Sequence, residues 1–221
     1  MPEKARPYPG SLGTAIVRAF DVAAGITGWS EKRLKVAKRA YETVTVNDHQ
    51  HATYYPGAKP LTVKIIWEPE TGRLLGAQVN GCEGVDKRLD VLATAVTAGM
   101  TVEDLCHLEL AYAPPFGSAK DVINLAGFAA CNRIDGLVEQ VTDLPTDAQV
   151  QIVDVRPKPL AEAFPAPCQV LNIPFPTLRA NLDKLDRNRP VLTLCAFGKM
   201  SYFAARILKQ HGFKVQTYSG G

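Results

Sequence analysis

The sequence predicts two domains of different fold class, an α+β domain followed by an α/β domain with a parallel sheet. In the first part, two strand patterns at 61–68 and 74–80 flank a turn and predict a hairpin. From residue 149 onward, short apolar runs alternate with helical patterns, which is typical of parallel sheets. A polar stretch containing Pro145 separates the two predicted domains. The predicted bounds are 1–136 for the first domain, 137–148 for a linker and 149–221 for the second domain.

The first domain begins with strand patterns and a short helix. Residues 13–22 read as one strand, and Thr43 to Val46 alternate as another. Between them, Ser30 can cap a helix that continues to Arg39, because a serine oxygen accepts a hydrogen bond from a free amide of the first turn.

The hairpin is followed by three helical patterns. Residues 84–98 carry apolar side chains on one face, and Gly99 is a helix stop. Thr101 and Asp104 resemble a capping box that opens a shorter helix. After the stiff loop 111–117, Ser118 is predicted to cap a helix that continues to about Asn132.

The second domain is predicted to contain short buried strands that alternate with helices. They are predicted at 149–155, 170–173, 191–194 and 213–218, with helices at 178–185 and from Ser201 onward. This alternation supports the parallel sheet.

Composition excludes several classes of function. The chain has 46% hydrophobic and 21% charged residues and a net charge of +3, as in an ordinary globular protein. A basic stretch at 32–39 favours a solvated helix face over nucleic-acid binding. No apolar run of membrane-spanning length occurs, and residues 1–7 lack the apolar core of a signal peptide. We therefore expect a cytoplasmic protein without nucleic-acid or membrane partners.

Cysteine and glycine spacing excludes bound metals and nucleotides. The five cysteines are dispersed without Cys-x-x-Cys spacing, and the four histidines show no ligand spacing, so no metal site is predicted. An odd, dispersed set fits free thiols in a reducing compartment. Neither G-x-G-x-x-G nor a Walker loop occurs, so we expect no cofactor in this chain.

Cys195 is the best candidate nucleophile. The apolar run 191–194 delivers it into a short loop with Gly198, and a helical pattern starts at Ser201. Ligand sites of parallel sheets lie at the carboxyl ends of strands, and a helix N-terminus stabilises a thiolate. The alternative is a buried core cysteine. The cysteine alone supports the nucleophile and the core residue about equally. Gly198 and Lys199 favour the nucleophile.

The second domain resembles a rhodanese domain. The matching segments are Asp154-Val155-Arg156, Val170-Leu171-Asn172-Ile173-Pro174, the loop Cys195 to Ser201, and Ser219-Gly220-Gly221. The resemblance implies that Cys195 carries a persulfide, cradled by amides of the loop from Gly198 through Met200 to Ser201. Such loops usually hold an arginine where this sequence has Met200, and Lys199 is only a partial substitute because it lacks the guanidinium fork. Rhodanese domains normally continue beyond the point that corresponds to Gly221, so we expect a shortened domain.

The first domain resembles the dimerisation domain of the coenzyme A disulfide reductase and NADH oxidase branch of the pyridine nucleotide-disulfide oxidoreductases. The matching motifs are Gly10 to Thr14 with Phe20-Asp21, Tyr54 to Ala58, Leu75 to Gln78, Gly84 to Arg88, and Leu108 to Phe116 with Ser118 to Asp121. The resemblance implies that Tyr54 (less certainly Tyr55) and Tyr112 reach across a homodimer to the partner subunit's redox cysteine. Without the resemblance, the sequence favours the interpretation that both tyrosines are packing residues beside prolines.

Fusion of these two domains matches the coenzyme A disulfide or persulfide reductases. The resemblance implies that the chain is the C-terminal portion of a flavoenzyme that uses FAD, NAD(P)H and coenzyme A. The FAD- and NAD(P)H-binding domains are expected in cis or in trans, and thiols are expected as sulfur donors. The alternative, which Met200 favours, is a non-catalytic dimerisation or interaction module with a degenerate rhodanese loop. Whether or not the parent enzyme is catalytic, we expect this chain alone to be at most a weak sulfurtransferase.

Overall fold

The computed structural model describes Tyr8 and residues 10–219, which build two five-stranded sheets. Residues 1–7, on which the signal-peptide expectation rests, lie outside the described residues, as do Pro9 and the terminal pair Gly220 and Gly221. No helix among the described residues is both long enough and apolar enough to cross a membrane.

The first domain is an antiparallel sheet covered by helices. Its strands are β1 Ala15–Ala19, β2 Val22–Gly28, β3 Glu42–His49, β4 Pro60–Trp67 and β5 Leu74–Gly81, in the order β1-β2-β5-β4-β3. Its helices are α1 Glu31–Val36, α2 Val85–Ala98, α3 Val102–His107 and α4 Val122–Ile134. Alternate residues of β4 pack with the apolar faces of α2, α3 and α4 in one core. Each fully buried aliphatic side chain there stabilises the fold by about 1.5–3 kcal/mol.

Several local predictions for this domain are confirmed. Ser30 caps α1, the strands on either side of the 69–72 turn pair antiparallel, and Gly99 ends α2 in a left-handed conformation. The capping box of Thr101 and Asp104 opens α3.

Two local predictions are wrong. The single strand predicted at 13–22 is a hairpin of β1 and β2, turning at Phe20, whose φ is 53°. No glycine, proline or asparagine marks that turn, so the apolar run concealed it. The helix predicted to start after Ser118 begins three residues later, because Asp121 caps α4 and accepts a hydrogen bond from Ile123 N.

The second domain contains the predicted parallel sheet. Its strands are β6 Glu139–Val141, β7 Gln151–Asp154, β8 Leu171–Asn172, β9 Val191–Leu194 and β10 Val215–Tyr218, in the order β6-β10-β9-β7-β8. Every pairing is parallel. The helices are α5 Lys158–Ala163, a 3₁₀ helix at Phe175–Lys184 and α6 Lys199–Gln210.

Three features of the second domain differ from the prediction. The residues of β6 were predicted as linker, but they pair with β10 at the edge of the sheet. Their polar composition hid a strand that is half exposed. The helix predicted at 178–185 is the 3₁₀ helix, and α6 begins at Lys199 rather than Ser201.

The edge strand β3 joins the two domains. The side-chain amide of Gln140 donates to Thr45 O at 2.9 Å and accepts from Thr45 N at 2.8 Å. The ring of His49 stacks on Phe197 of the Cys195 loop, with centroids 5.2 Å apart. The thiol loop of the second domain therefore rests against the sheet of the first.

Candidate functional site

The Cys195 thiol is held by backbone amides at the start of α6. Its Sγ accepts hydrogen bonds from Gly198 N at 3.2 Å and from Ser201 N at 3.3 Å, and the residue is 4% exposed. The same two amides can bind a thiolate or the inner sulfur of a persulfide, since hydrogen bonds to an anion are the stronger ones. The helix dipole of α6 adds to this stabilisation.

Gly198 is required by the shape of the loop. It adopts φ 83° as the residue that caps α6, a left-handed conformation that side chains rarely adopt. A Cβ at this position would meet nothing within 4 Å. The glycine therefore serves the backbone conformation, which aims the amides at Cys195.

A buried hydroxyl network fixes the loop from below. Ser201 Oγ donates to Gly198 O at 2.9 Å and accepts from Thr217 Oγ1 at 3.0 Å. Thr193 Oγ1 donates to Ser201 O at 2.9 Å. The two threonines were not predicted as site residues, and only the pairing of β9 with β10 brings them under the loop.

Arg156 was also not predicted as a residue of the Cys195 site. Asp154 is fully buried and accepts hydrogen bonds from Arg156 N, Nε and Nη2. These hydrogen bonds raise the pKa of the Arg156 guanidinium, and the neighbouring Cys195 raises it further. A fixed cation thus lies near the thiol, where the Asp-Val-Arg motif placed it.

Lys199 and Met200 occupy the exposed first turn of α6. Among the described residues, no hydrogen bond or ion pair joins the Lys199 side chain to Cys195, and the two amides that bond Sγ are those of Gly198 and Ser201. Met200 is partly exposed, so a longer side chain there has room to reach solvent.

The predicted tyrosines form a second site. The hydroxyls of Tyr54 and Tyr112 lie 2.7 Å apart, and the two residues are 73% and 48% exposed. The hydrogen bond to Tyr112 raises the pKa of Tyr54, because Tyr54 loses a hydrogen-bond donor when it ionises. Tyr55 does not join this pair and packs edge-on against His51.

A buried arginine fixes the two tyrosine loops. Arg88 Nη2 donates to Gln50 O at 2.7 Å and to Asp121 Oδ2 at 2.6 Å. Ala52 N donates to Gly117 O at 3.0 Å, which ties the loop before Tyr54 to the loop after Tyr112. No local pattern in the sequence predicts that Arg88 is buried, although it lies in one of the motifs that carry the family resemblance.

The described residues contain no cluster of three or more histidine, cysteine, aspartate or glutamate side chains that could hold a metal ion.

Comparison with known families identifies both domains. Residues 14–122 match the dimerisation domain of the pyridine nucleotide-disulphide oxidoreductases, and residues 137–221 match the rhodanese-like domain. Over 123 residues the chain is 41% identical to the coenzyme A disulfide reductase of Staphylococcus epidermidis and 40% identical to that of Staphylococcus aureus. The matched segment is 56% of this chain and 28% of each relative, so the chain spans under a third of these relatives.

Two solved structures cover almost the whole chain. The reduced form of the Bacillus anthracis protein CoADR-RHD is 40% identical with a TM-score of 0.91, and the match covers 97% of this chain and 39% of that one. An NAD-dependent persulfide reductase from A. fulgidus is 39% identical with the same TM-score and the same coverage.

The chain therefore combines a domain of the pyridine nucleotide-disulphide oxidoreductase dimerisation type with a rhodanese-like domain. With this domain order, it corresponds to the C-terminal part of coenzyme A disulfide or persulfide reductases.

Proposed function

We propose that this chain supplies the dimerisation surface and the sulfur-carrying thiol of an FAD- and NAD(P)H-dependent coenzyme A disulfide or persulfide reductase. One observation carries the proposal. Two amides of the α6 turn converge on Cys195 Sγ, as a site for a sulfur anion requires.

The proposed loading step is a displacement at sulfur. The Cys195 thiolate attacks the outer sulfur of a donor persulfide RSSH, the S–S bond of the donor breaks, and the thiol RSH leaves. Cys195 then carries the sulfane sulfur as a persulfide, and no external oxidant or reductant is consumed. Gly198 N and Ser201 N would hold the inner sulfur in place, and Lys199 would add positive charge at the loop.

Release of the sulfur needs two electrons. FAD and NAD(P)H would supply them, and coenzyme A would be the thiol that is exchanged. The residues of this chain do not fit these dinucleotides, because the sequence has no G-x-G-x-x-G to cradle their phosphates. We therefore place both cofactors on other domains, in cis or in trans.

The tyrosine pair would serve the partner subunit in a cytoplasmic homodimer. Both hydroxyls are exposed and already bonded to each other, so each retains capacity for a further hydrogen bond. A thiolate or disulfide of the partner could use that capacity. The buried Arg88–Asp121 pair would keep the hydroxyls in place.

Persulfide mapping tests the proposal. The chain is treated with glutathione persulfide and then analysed by mass spectrometry of its peptides. We expect one added sulfur on Cys195 and none in Cys195→Ser, whereas Cys168→Ser, a matched variant at a half-buried cysteine of the same domain, loads normally. Extra sulfur on Cys168 with Cys195 unmodified would contradict the assignment.

Met200 supports a second candidate function, a binding module without sulfur transfer. Met200, Phe197 and Phe203, which are close in sequence, are all exposed apolar residues. In that case the same experiment would leave Cys195 unloaded.

A further inference from the structure

Two cysteines of the first domain face each other outside both sites. Cys106 on α3 and Cys131 on α4 have their sulfur atoms 3.7 Å apart. Both residues are half-buried, so small molecules can reach them.

The backbones of α3 and α4 are held close at this point. A Cβ on Gly127 would lie only 2.9 Å from Leu105 Cβ and 2.9 Å from Val102 O, so only glycine permits the approach. Asn124 Nδ2 donates to Leu105 O at 2.9 Å and fastens the two helices together.

The side-chain directions bring the two sulfurs together. Helical side chains lean toward the N-terminus, and Cys106 Sγ accordingly contacts Val102 O at 3.6 Å, one turn back. Cys131 stands one turn beyond Gly127 on the facing helix. A disulfide bond, about 2.05 Å long, would require the two sulfur atoms to approach from their present separation of 3.7 Å.

The Cys106 thiol is held in its protonated form. Burial, and then the hydrogen bond with Cys131, raise the pKa of Cys106 to about 12. We therefore assign the first attack to Cys131 and the resolving step to Cys106.

We propose that Cys106 and Cys131 form a redox-active dithiol that a low-molecular-weight disulfide oxidises to an intramolecular disulfide. The Cys131 thiolate attacks one sulfur of RSSR, and RS⁻ leaves as a mixed disulfide forms. Cys106 then gives its proton to that RS⁻ and attacks Cys131 Sγ, which expels the second thiolate. Two protein thiols are oxidised, and one RSSR is reduced to two thiols.

The disulfide would close a loop that contains Tyr112 and Asp121. It would thereby join the helix before the Tyr112 loop to the helix after it. This inference does not depend on Cys195 or on the proposed reductase, because it rests on the geometry of α3 and α4 alone.

The test treats the full chain with glutathione disulfide, alkylates the remaining thiols and maps the unreduced peptides. We expect Cys106 and Cys131 in one cross-linked pair that resists alkylation, and full alkylation of both after reduction. The oxidised chain should also unfold at a higher temperature than the reduced chain, since the cross-link restricts the unfolded state.

Two variants sharpen the result. Cys106→Ser should stop at a stable mixed disulfide on Cys131, and Cys82→Ser, a half-buried control in the same domain, should form the cross-link as before. The proposal is overturned if Cys106 and Cys131 stay fully alkylatable while glutathione accumulates on Cys82 or Cys168. The map of the unsubstituted chain decides this even if Cys106→Ser does not fold.

Discussion

The thiol site of the second domain and the tyrosine pair of the first are built in opposite ways. Cys195 is almost fully buried, and both of its amide donors come from the next six residues. Tyr54 and Tyr112 are exposed and lie 58 residues apart, and they meet only because Arg88 and Asp121 join their loops from beneath. The amide donors to the thiol come from its own loop, whereas the tyrosine pair depends on a distant support and presents hydroxyls to an outside group.

Because of this difference, we expect substitutions at the two sites to affect different properties, namely stability at one and sulfur chemistry at the other. A change under the tyrosine pair should mainly lower the stability of the first domain, whereas a change in the thiol loop should alter sulfur chemistry and cost less stability. Four substitutions test this contrast between stability and sulfur chemistry, from the largest expected effect to the smallest.

Arg88→Met should lower the free energy of unfolding by about 3–5 kcal/mol, because it leaves the buried Asp121 carboxylate without its cationic partner. Denaturant unfolding followed by circular dichroism measures this change. Arg39→Met is the matched control, since the Arg39–Glu68 pair lies at the surface and is partly open to solvent, so that its removal should change stability much less. Equal effects of the two substitutions would refute the supporting role of Arg88.

Met200→Arg should raise thiosulfate turnover by about 10–200-fold, equivalent to about 1.5–3 kcal/mol of charge-assisted hydrogen bonding to an anionic donor. The added guanidinium would stand one residue before Ser201, whose amide bonds Cys195 Sγ. Steady-state assay of thiocyanate formation measures it. Gln210→Arg places the same charge at the exposed far end of α6 and should leave turnover unchanged. An equal gain from both variants would show a general charge effect instead.

Gly198→Ala should destabilise the second domain by about 1–2 kcal/mol, because a side chain is strained at φ 83°. Gly136→Ala is the control, since Gly136 also has positive φ and open space around its missing Cβ. The two variants should lose similar stability in thermal melts, but only Gly198→Ala should slow persulfide loading of Cys195. Normal loading in Gly198→Ala would mean that the loop conformation does not matter for the chemistry.

Tyr112→Phe should lower the pKa of Tyr54 toward its ordinary value, because the hydrogen bond that raises it is lost. Titration of tyrosinate absorbance measures this shift, and Tyr55→Phe should leave it in place. The raised folded-state pKa means that the contribution of this hydrogen bond to stability is present below the ordinary pKa and is lost as pH rises through the raised value. Stability at neutral pH should change little, as for a surface substitution. An unchanged Tyr54 titration in Tyr112→Phe would show that the two hydroxyls do not interact in solution.

Local sequence predicted the elements whose signals are contiguous. The caps at Ser30 and Thr101, the hairpin of β4 and β5 and the strand–loop–helix around Cys195 each lie within a short segment. The turn at Phe20 and the strand β6 were missed because turn and strand residues there have no distinctive composition.

The sequence by itself determined the two fold classes, the thiol loop and its glycine, because hydrogen bonding and φ preferences act between neighbouring residues. Only the tertiary structure decided the Tyr54–Tyr112 hydrogen bond, the burial of Arg88 against Asp121 and the meeting of Cys106 with Cys131. It also decided how Gln140 fastens the second domain to Thr45. These partners lie 25 to 95 residues apart. Strand order and helix packing bring them together, and no local pattern in the chain records which distant residue each will meet.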